Sequence, residues 1–116
     1  MTLEFDEICI DAHDATALGG WWATVLGWPQ DVDDDGDVVL HAPPGAGPNW
    51  LFLAVPDDKV VKNRIHFDFR PDDQDAEVSR VIGLGAQRVD IGQGDETWVV
   101  LADPEGNEFC ILAAEA

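Results

Sequence analysis

The sequence predicts a mixed α+β fold in which two copies of a β-α-β-β-β module follow one another within a single domain of 116 residues. Segments that alternate apolar and polar residues are typical of half-buried strands, and two segments carry apolar residues at helical spacing before a glycine. These elements occur in the same order twice, which indicates an internal duplication. Module one is predicted over about residues 1–55 and module two over about 63–116, with a linker at about 56–62.

The first module begins with a strand predicted over residues 3–11. Successive side chains of a strand alternate between its two faces. Ile8 and Ile10 therefore form an aliphatic face, and Glu7 and Cys9 lie on the opposite face. We expect this second, more polar face to be the reactive one.

A helix follows, with Asp14 as its N-cap and Gly27 at its end. The adjacent glycines Gly19 and Gly20 cost this helix about 2 kcal/mol relative to alanines, and they indicate that the helix packs closely on the sheet. The rest of the module is predicted as an acidic loop or short edge strand at 31–37 and strands at 38–41 and 49–55.

The second module repeats this order, starting with a strand predicted over residues 63–69. Its apolar residues face one side, and His66 and Asp68 face the other. The rest of the module is predicted as a helix capped by Asp72 or Asp73 and running to Leu84, strands at 87–91, 97–101 and 108–113, and a turn at 103–106.

The chain is strongly acidic, with 24 acidic and 6 basic residues and a formal net charge of −18. Such a surface repels phosphate groups, which argues against nucleic acids and anionic membranes as partners. Either a solvated acidic surface or recruitment of cations explains the charge. No apolar run is long enough to span a membrane, and the N-terminus lacks a signal-peptide pattern, so we expect a cytoplasmic protein.

The two cysteines, Cys9 and Cys110, lie near opposite ends of the chain in apolar surroundings. Their spacing does not form a Cys-x-x-Cys motif. Buried, reduced thiols are the expectation for a cytoplasmic protein, and a disulfide between the two is the alternative that the sequence leaves open.

Three segments carry a resemblance to a known family. These are Leu-Gly-Gly-Trp-Trp-Ala-Thr-Val-Leu-Gly-Trp at 18–28, Lys-Asn-Arg-Ile-His-Phe-Asp-Phe at 62–69 and Asp-Pro-Glu-Gly-Asn-Glu-Phe-Cys at 103–110. In this order they resemble the vicinal oxygen chelate superfamily, and in particular its glyoxalase-like, bleomycin-resistance-like branch. The resemblance implies two curved half-sheets forming an open cleft, often completed by a homodimer, that receives a small-molecule ligand.

The resemblance also implies where a metal would bind. Metal-binding relatives take ligands from corresponding positions on the first and last strands of each module, which here are Glu7, Phe52, His66 and Cys110. Phe52 cannot bind a metal, and Cys110 stands where a glutamate is usual, with Glu108 as a substitute carboxylate two residues earlier. Glu7, His66 and Cys110 could hold zinc or nickel, whereas the altered pattern favours a metal-free site.

Several other residues are candidates for the cleft. His66 is the expected catalytic base, because an imidazole can transfer protons at neutral pH, with Glu7 or Asp68 setting its tautomer. Residues expected to contact a substrate are Asp68 and Cys9 as polar groups and Trp50, Phe52 and Trp98 as aromatic walls. His13 and His41 lie at the ends of elements and are expected to face solvent.

Two functions fit these residues. The first is a glyoxalase-like lyase or isomerase that acts on a small oxygenated metabolite, with His66 as base or metal ligand. The second is a metal-free protein that sequesters an aromatic or cationic compound. Thiol transfer to fosfomycin is disfavoured by the net charge, and ring-cleaving dioxygenation is disfavoured because a two-histidine, one-carboxylate iron site is not visible.

Overall fold

The computed structural model describes residues 3–92, 94 and 96–115. The chain divides into two compact units, the first ending at Asp58 and the second beginning at Lys59, which falls inside the predicted linker. Over the described residues, each unit has one helix and one four-stranded sheet, in the order β-α-β-β-β. The predicted fold class is therefore confirmed.

The first unit forms a sheet with strand order β1-β4-β3-β2. Its elements are β1 (Glu7–Ala12), α1 (Ala15–Leu26), β2 (Gln30–Val32), β3 (Val38–Leu40) and β4 (Asn49–Ala54). The first and last strands, β1 and β4, pair in parallel, and the other neighbours are antiparallel.

Helix α1 begins and ends where the sequence predicts. The Asp14 side chain accepts a hydrogen bond from the amide of Ala17 at 3.1 Å, and Gly27 ends the helix in the left-handed conformation with φ of 70°. A Cβ atom on Gly19 would lie 2.7 Å from Cβ of Val38, so the helix contacts β3 at this glycine. The predicted close packing is confirmed at Gly19 and is wrong at Gly20, whose nearest contact would be at 3.9 Å.

The second unit has the equivalent order, β5-β8-β7-β6. Its elements are β5 (Phe67–Phe69), α2 (Gln74–Gly83), β6 (Gln87–Arg88), β7 (Val99–Ala102) and β8 (Glu108–Ile111). Strands β5 and β8 pair in parallel, as the first and last strands of the first unit do. Asp73 caps α2 by accepting a hydrogen bond from the amide of Ala76 at 3.1 Å.

The strand that opens the second unit is shorter than predicted, because it begins at Phe67 rather than at Asn63. The amide of Asn63 donates instead to the side chain of Glu108 at 2.7 Å. Ile65, which was expected on the apolar face of this strand, is exposed. The segment before β5 is thus held by a side chain and not by a sheet ladder.

The predicted turn before β8 is confirmed at Asp103, which is buried. Its carboxylate accepts hydrogen bonds from the amides of Glu105 and Asn107 at 3.0 and 2.9 Å, and Gly106 adopts φ of 88°. The turn fixes the point at which β8 begins. Within the described residues, neither helix combines the length and the apolar character needed to cross a bilayer.

Candidate functional site

The second unit brings together an imidazole, a carboxylate and a thiol. His66 Nε2 lies 3.2 Å from Asp68 Oδ1, and potential metal-binding atoms of His66, Asp68 and Cys110 all lie within 4.8 Å of one another. We call these three residues the His-Asp-Cys cluster. It combines a proton acceptor with two groups that can hold it in place or share a metal ion with it.

Strand pairing explains why these residues meet. Asp68 on β5 lies directly opposite Cys110 on β8 in the parallel register, so that both side chains project from the same face of the sheet. His66 precedes Asp68 by two residues. The alternate residues point to the other face, where the rings of Phe69 and Phe109 pack with centroids 6.0 Å apart. The aromatic face thus anchors the two strands that carry the cluster.

The thiol of Cys110 is protonated at neutral pH. Burial raises its pKa to about 11, and the negative charge and hydrogen bonding of Asp68 act in the same direction, while Lys62 opposes them. A protonated thiol is a poor nucleophile. In the absence of a metal, Cys110 therefore acts as a neutral hydrogen-bond donor to Asp68.

Glu108 has two partners in the second unit. Its side chain, which is 10% exposed, accepts hydrogen bonds from Lys59 Nζ at 2.9 Å and from the amide of Asn63 at 2.7 Å. Burial acts to raise the pKa of Glu108, but these hydrogen bonds and the charge of Lys59 outweigh burial and lower it. Both carboxylate oxygens are engaged, so Glu108 does not take the place expected of a free substitute carboxylate.

The residue missed as a potential metal ligand is Asp68, which was expected only to contact substrate and orient His66. Its position two residues after His66 predicts that the two side chains lie on the same face of the strand. Its approach to Cys110, however, depends on the pairing of β5 with β8 across more than forty intervening residues.

The first unit holds the other polar candidates, Glu7 and Cys9, on β1. The thiol of Cys9 donates to Glu7 Oε1 at 3.8 Å. Desolvation, and then the charge and hydrogen bond of Glu7, raise the pKa of Cys9. Both cysteines are free, as expected, but Cys9 is exposed rather than buried, because it shares the polar face of β1 while Ile8 and Ile10 take the other.

The structure corrects the face assigned to Trp50 and Phe52. Both are buried in the first unit on the side covered by α1, where the rings of Trp22 and Trp50 lie 5.3 Å apart. In the first unit Phe52 pairs with Ile10, and at the equivalent place in the second unit Ile111 pairs with Phe69. Phe52 therefore corresponds to Ile111. The residue that corresponds to Cys110 is Leu51, one position earlier. Trp50 and Phe52 are therefore core residues and do not offer walls for a ligand.

The remaining candidates lie at the surface. His13 Nδ1 lies 3.2 Å from Asp58, and His41 Nε2 lies 2.7 Å from Asp31. Both histidine side chains are about half exposed to solvent, in agreement with the prediction that they face it. Trp98, just before β7, is 37% exposed, so its ring is available for contact with a ligand.

The donor atoms of the His-Asp-Cys cluster determine which ions it suits. Magnesium and calcium prefer oxygen ligands alone, whereas zinc and similar ions accept nitrogen and sulfur. One imidazole, one carboxylate and one thiol therefore fit a zinc-like ion. They do not fit a hard ion.

A model of the family described as glyoxalase-like domain matches residues 7–112. None of the proteins with curated functions matches the sequence significantly.

Solved structures share the fold over nearly the whole chain. A glyoxalase/bleomycin resistance protein/dioxygenase family enzyme from Burkholderia phytofirmans PsJN is 18% identical, with a TM-score of 0.76 over 97% of this chain and 100% of that chain. The genomically encoded fosfomycin resistance protein FosX from Listeria monocytogenes is 13% identical, with a TM-score of 0.71 over 99% and 96%. TnmS3, an antibiotic binding protein from Streptomyces sp. CB03234, is 16% identical, with a TM-score of 0.66 over 99% of both chains.

At these identities the structural likeness establishes the fold alone, and the family follows from the sequence match. That match covers both units and every element from β1 to β8. The chain therefore belongs to the glyoxalase-like domain family of the vicinal oxygen chelate superfamily.

Proposed function

We propose that this protein is a glyoxalase-like lyase or isomerase that acts on a small oxygenated molecule, with His66 as the base. The observation that carries the proposal is the pair formed by His66 and Asp68, 3.2 Å apart and both accessible from solvent. An imidazole oriented by a carboxylate is a common arrangement for moving protons at neutral pH.

The two ring nitrogens of His66 have separate tasks in this mechanism. With Nε2 protonated and donating to Asp68, the lone pair lies on Nδ1. Nδ1 takes a proton from a carbon next to a carbonyl group, and the electron pair of the broken C–H bond moves onto the carbonyl oxygen. The proton then returns to a neighbouring carbon, or a leaving group departs. The first outcome is an isomerisation and the second is an elimination.

Cys110 supports this pair from a buried position on β8. Its protonated thiol donates to Asp68, so that the carboxylate is held between the thiol and His66. His66 itself is 40% exposed, so a small substrate can reach it. The net charge of −18 favours a neutral or cationic substrate over an anion. Fosfomycin, which appears in the name of one structural neighbour, is such an anion.

Proton exchange with solvent tests the proposal over a range of carbonyl compounds. A panel of 2-hydroxy and 2-oxo carbonyl compounds is incubated with the protein in D₂O, and loss of the C–H signal is followed by proton NMR. We expect exchange of at least one compound, and a rate that falls about 10²- to 10⁴-fold in His66→Gln, because general base catalysis contributes that much. His41→Gln is the matched control, since His41 also pairs with an aspartate. Equal rates in wild type and His66→Gln, or a panel without exchange, would contradict the proposal.

Metal-free sequestration of a cationic aromatic compound is the second candidate, and exposed Trp98 favours it. An aromatic face beside a negative surface attracts such ligands through stacking and cation–π interactions. The antibiotic binding protein among the structural neighbours has the same fold.

Binding of a cationic aromatic dye tests this second candidate. We expect Trp98→Ala to weaken dye binding about 3- to 30-fold, the equivalent of one cation–π contact, when binding is followed by dye fluorescence. A neutral dye of the same shape should bind less tightly, and added salt should weaken only the cationic dye. Unchanged affinity in Trp98→Ala would exclude this ring from the site.

A further inference from the structure

We infer that Glu108 is a positioning residue for His66, because it fixes the backbone that carries the imidazole and so keeps the ring against Asp68. This inference rests on the proposed role of His66 as a base. It adds to that role a residue that does not touch the substrate. The sequence led us to expect Glu108 only as a substitute carboxylate for a metal, and its contacts give it this different task.

The segment that leads to His66 has no support from a sheet. Strand β5 begins at Phe67, and residues 59–66 belong to neither a helix nor a strand. Val60 and Val61, within this segment, are 88% and 75% exposed. A segment with so few buried contacts opens easily unless other bonds hold it. The position of His66 therefore depends on the side chains that bind this segment.

Glu108 binds the segment at two points. Its Oε2 atom accepts a hydrogen bond from Lys59 Nζ at 2.9 Å, and its Oε1 atom accepts one from the amide of Asn63 at 2.7 Å. The side chains of Glu108 and Lys59 are only 10% and 16% exposed, so water competes weakly for these bonds. The second point, Asn63, lies only one helical turn's length of chain before His66.

The turn between β7 and β8 holds Asn63 as well. Asn63 Nδ2 donates to Asn107 Oδ1 at 3.3 Å. Asn107 Nδ2 in turn donates to both carboxylate oxygens of the buried Asp103, at 3.1 and 3.0 Å. Asn63 is therefore bonded through its backbone and through its side chain to residues that are fixed at the start of β8.

Strand β8 consequently holds both members of the pair formed by His66 and Asp68. Glu108 and Cys110 are alternate residues of this strand, so they project from the same face. The thiol of Cys110 donates to Asp68, and Glu108 holds the segment before His66. All residues of β8 are buried, which makes the strand a rigid base for both contacts. Loss of the Glu108 contact should therefore let His66 move away while Asp68 stays in place.

Two double variants isolate the contact between Glu108 and Asn63. Lys59→Met/Glu108→Gln, the glutamine variant, removes the ion pair but keeps a side-chain oxygen that can accept from the Asn63 amide. Lys59→Met/Glu108→Met, the methionine variant, removes that acceptor as well. Neither leaves a buried charge without a partner, and methionine is close in size to the residues it replaces, so we expect both to fold. Circular dichroism checks this, and Lys59→Met/Glu108→Ala takes the place of a methionine variant that does not fold.

NMR relaxation measures the mobility of the segment without any substrate. We expect the backbone order parameters of residues 63–66 to stay near about 0.85 in the glutamine variant and to fall below about 0.6 in the methionine variant. The rate of proton exchange at saturating substrate should be about 10- to 100-fold lower in the methionine variant than in the glutamine variant, because displacing a catalytic group by about 1 Å costs that much. KM should be the same in both.

Gly19→Ala controls for a general loss of stability, because it crowds Val38 within the first unit. It should change neither the order parameters of residues 63–66 nor the rate. Equal order parameters in the two double variants, or equal rates despite different order parameters, would overturn the inference. Different order parameters in a protein that exchanges no compound of the panel would reject the proposed base and keep the role of Glu108 in fixing His66. Exchange with equal order parameters would do the reverse.

Discussion

Replacing Glu108 with alanine is expected to lower the free energy of unfolding by about 3–5 kcal/mol, the largest effect of any single substitution considered. Removing one partner of a buried ion pair leaves the other charge without compensation. Lys59, whose side chain is only 16% exposed, would lose its carboxylate, and the amide of Asn63 would lose its acceptor. Urea denaturation followed by circular dichroism measures this loss.

Glu77 provides the control for this prediction. It pairs with Arg80 at 2.7 Å on α2, but both side chains are about 40% exposed. An exposed pair contributes at most about 1 kcal/mol, so Glu77→Ala should change stability little. Similar losses in the two variants would show that the Glu108 pair has no special role in holding the second unit.

Acid should weaken the same contact. The pKa of Glu108 lies below its ordinary value of 4.5 in the folded protein, because hydrogen bonds from Lys59 and Asn63 outweigh burial. A carboxyl group with a lowered pKa stabilises the fold above its unfolded pKa and loses that contribution as the pH falls through its folded pKa. The urea concentration at the midpoint of unfolding of the metal-free protein should therefore decrease as the pH drops below about 4.5. This decrease should be smaller in Glu108→Gln.

Replacing Gly19 with alanine is expected to destabilise the first unit by about 1–3 kcal/mol, the usual range for an overpacked contact. The new methyl group would lie 2.7 Å from both Cβ and Cγ1 of Val38. Val38 is fully buried on β3 and cannot turn away into solvent. The helix would have to move off the sheet.

Gly20→Ala is the matched control, one residue along the same helix. Its methyl group would meet only the side chain of Gln30 at 3.9 Å. Alanine is the better helix former by about 1 kcal/mol, so this variant should be as stable as the wild type or more stable. If both variants gained stability in thermal unfolding, the contact between Gly19 and Val38 would be looser than described.

Local signals predicted the helices and the order of the elements. The aspartate caps at Asp14 and Asp73 and the terminal Gly27 act through contacts within a few residues, so the sequence carries them directly. Strand register does not work this way. When the two halves are aligned by sequence alone, β4 is shifted by one residue relative to β8. Because side chains alternate along a strand, this shift led the prediction to assign Trp50 and Phe52 to the wrong face of the sheet.

The candidate site was predicted only in part, for the same reason. His66 and Cys110 came from the resemblance to a family, and Asp68 came from its spacing to His66. The partner of Asp68 is fixed by pairing between the first and last strands of the unit, and the partners of Glu108 lie 45 and 49 residues away. Contacts over such distances leave no periodic trace in a single sequence.

The parallel pairing of β1 with β4, and of β5 with β8, also determines when each unit can fold. In both units the strand made first pairs with the strand made last, at the same separation along the chain. A growing chain therefore carries β1 without its neighbour until β4 has been synthesised. Because closing a long loop precedes any gain from such pairing, we infer that the parallel pairing, and with it the completion of each sheet, is a late and slow step. The local contacts of α1 and α2 can form well before it.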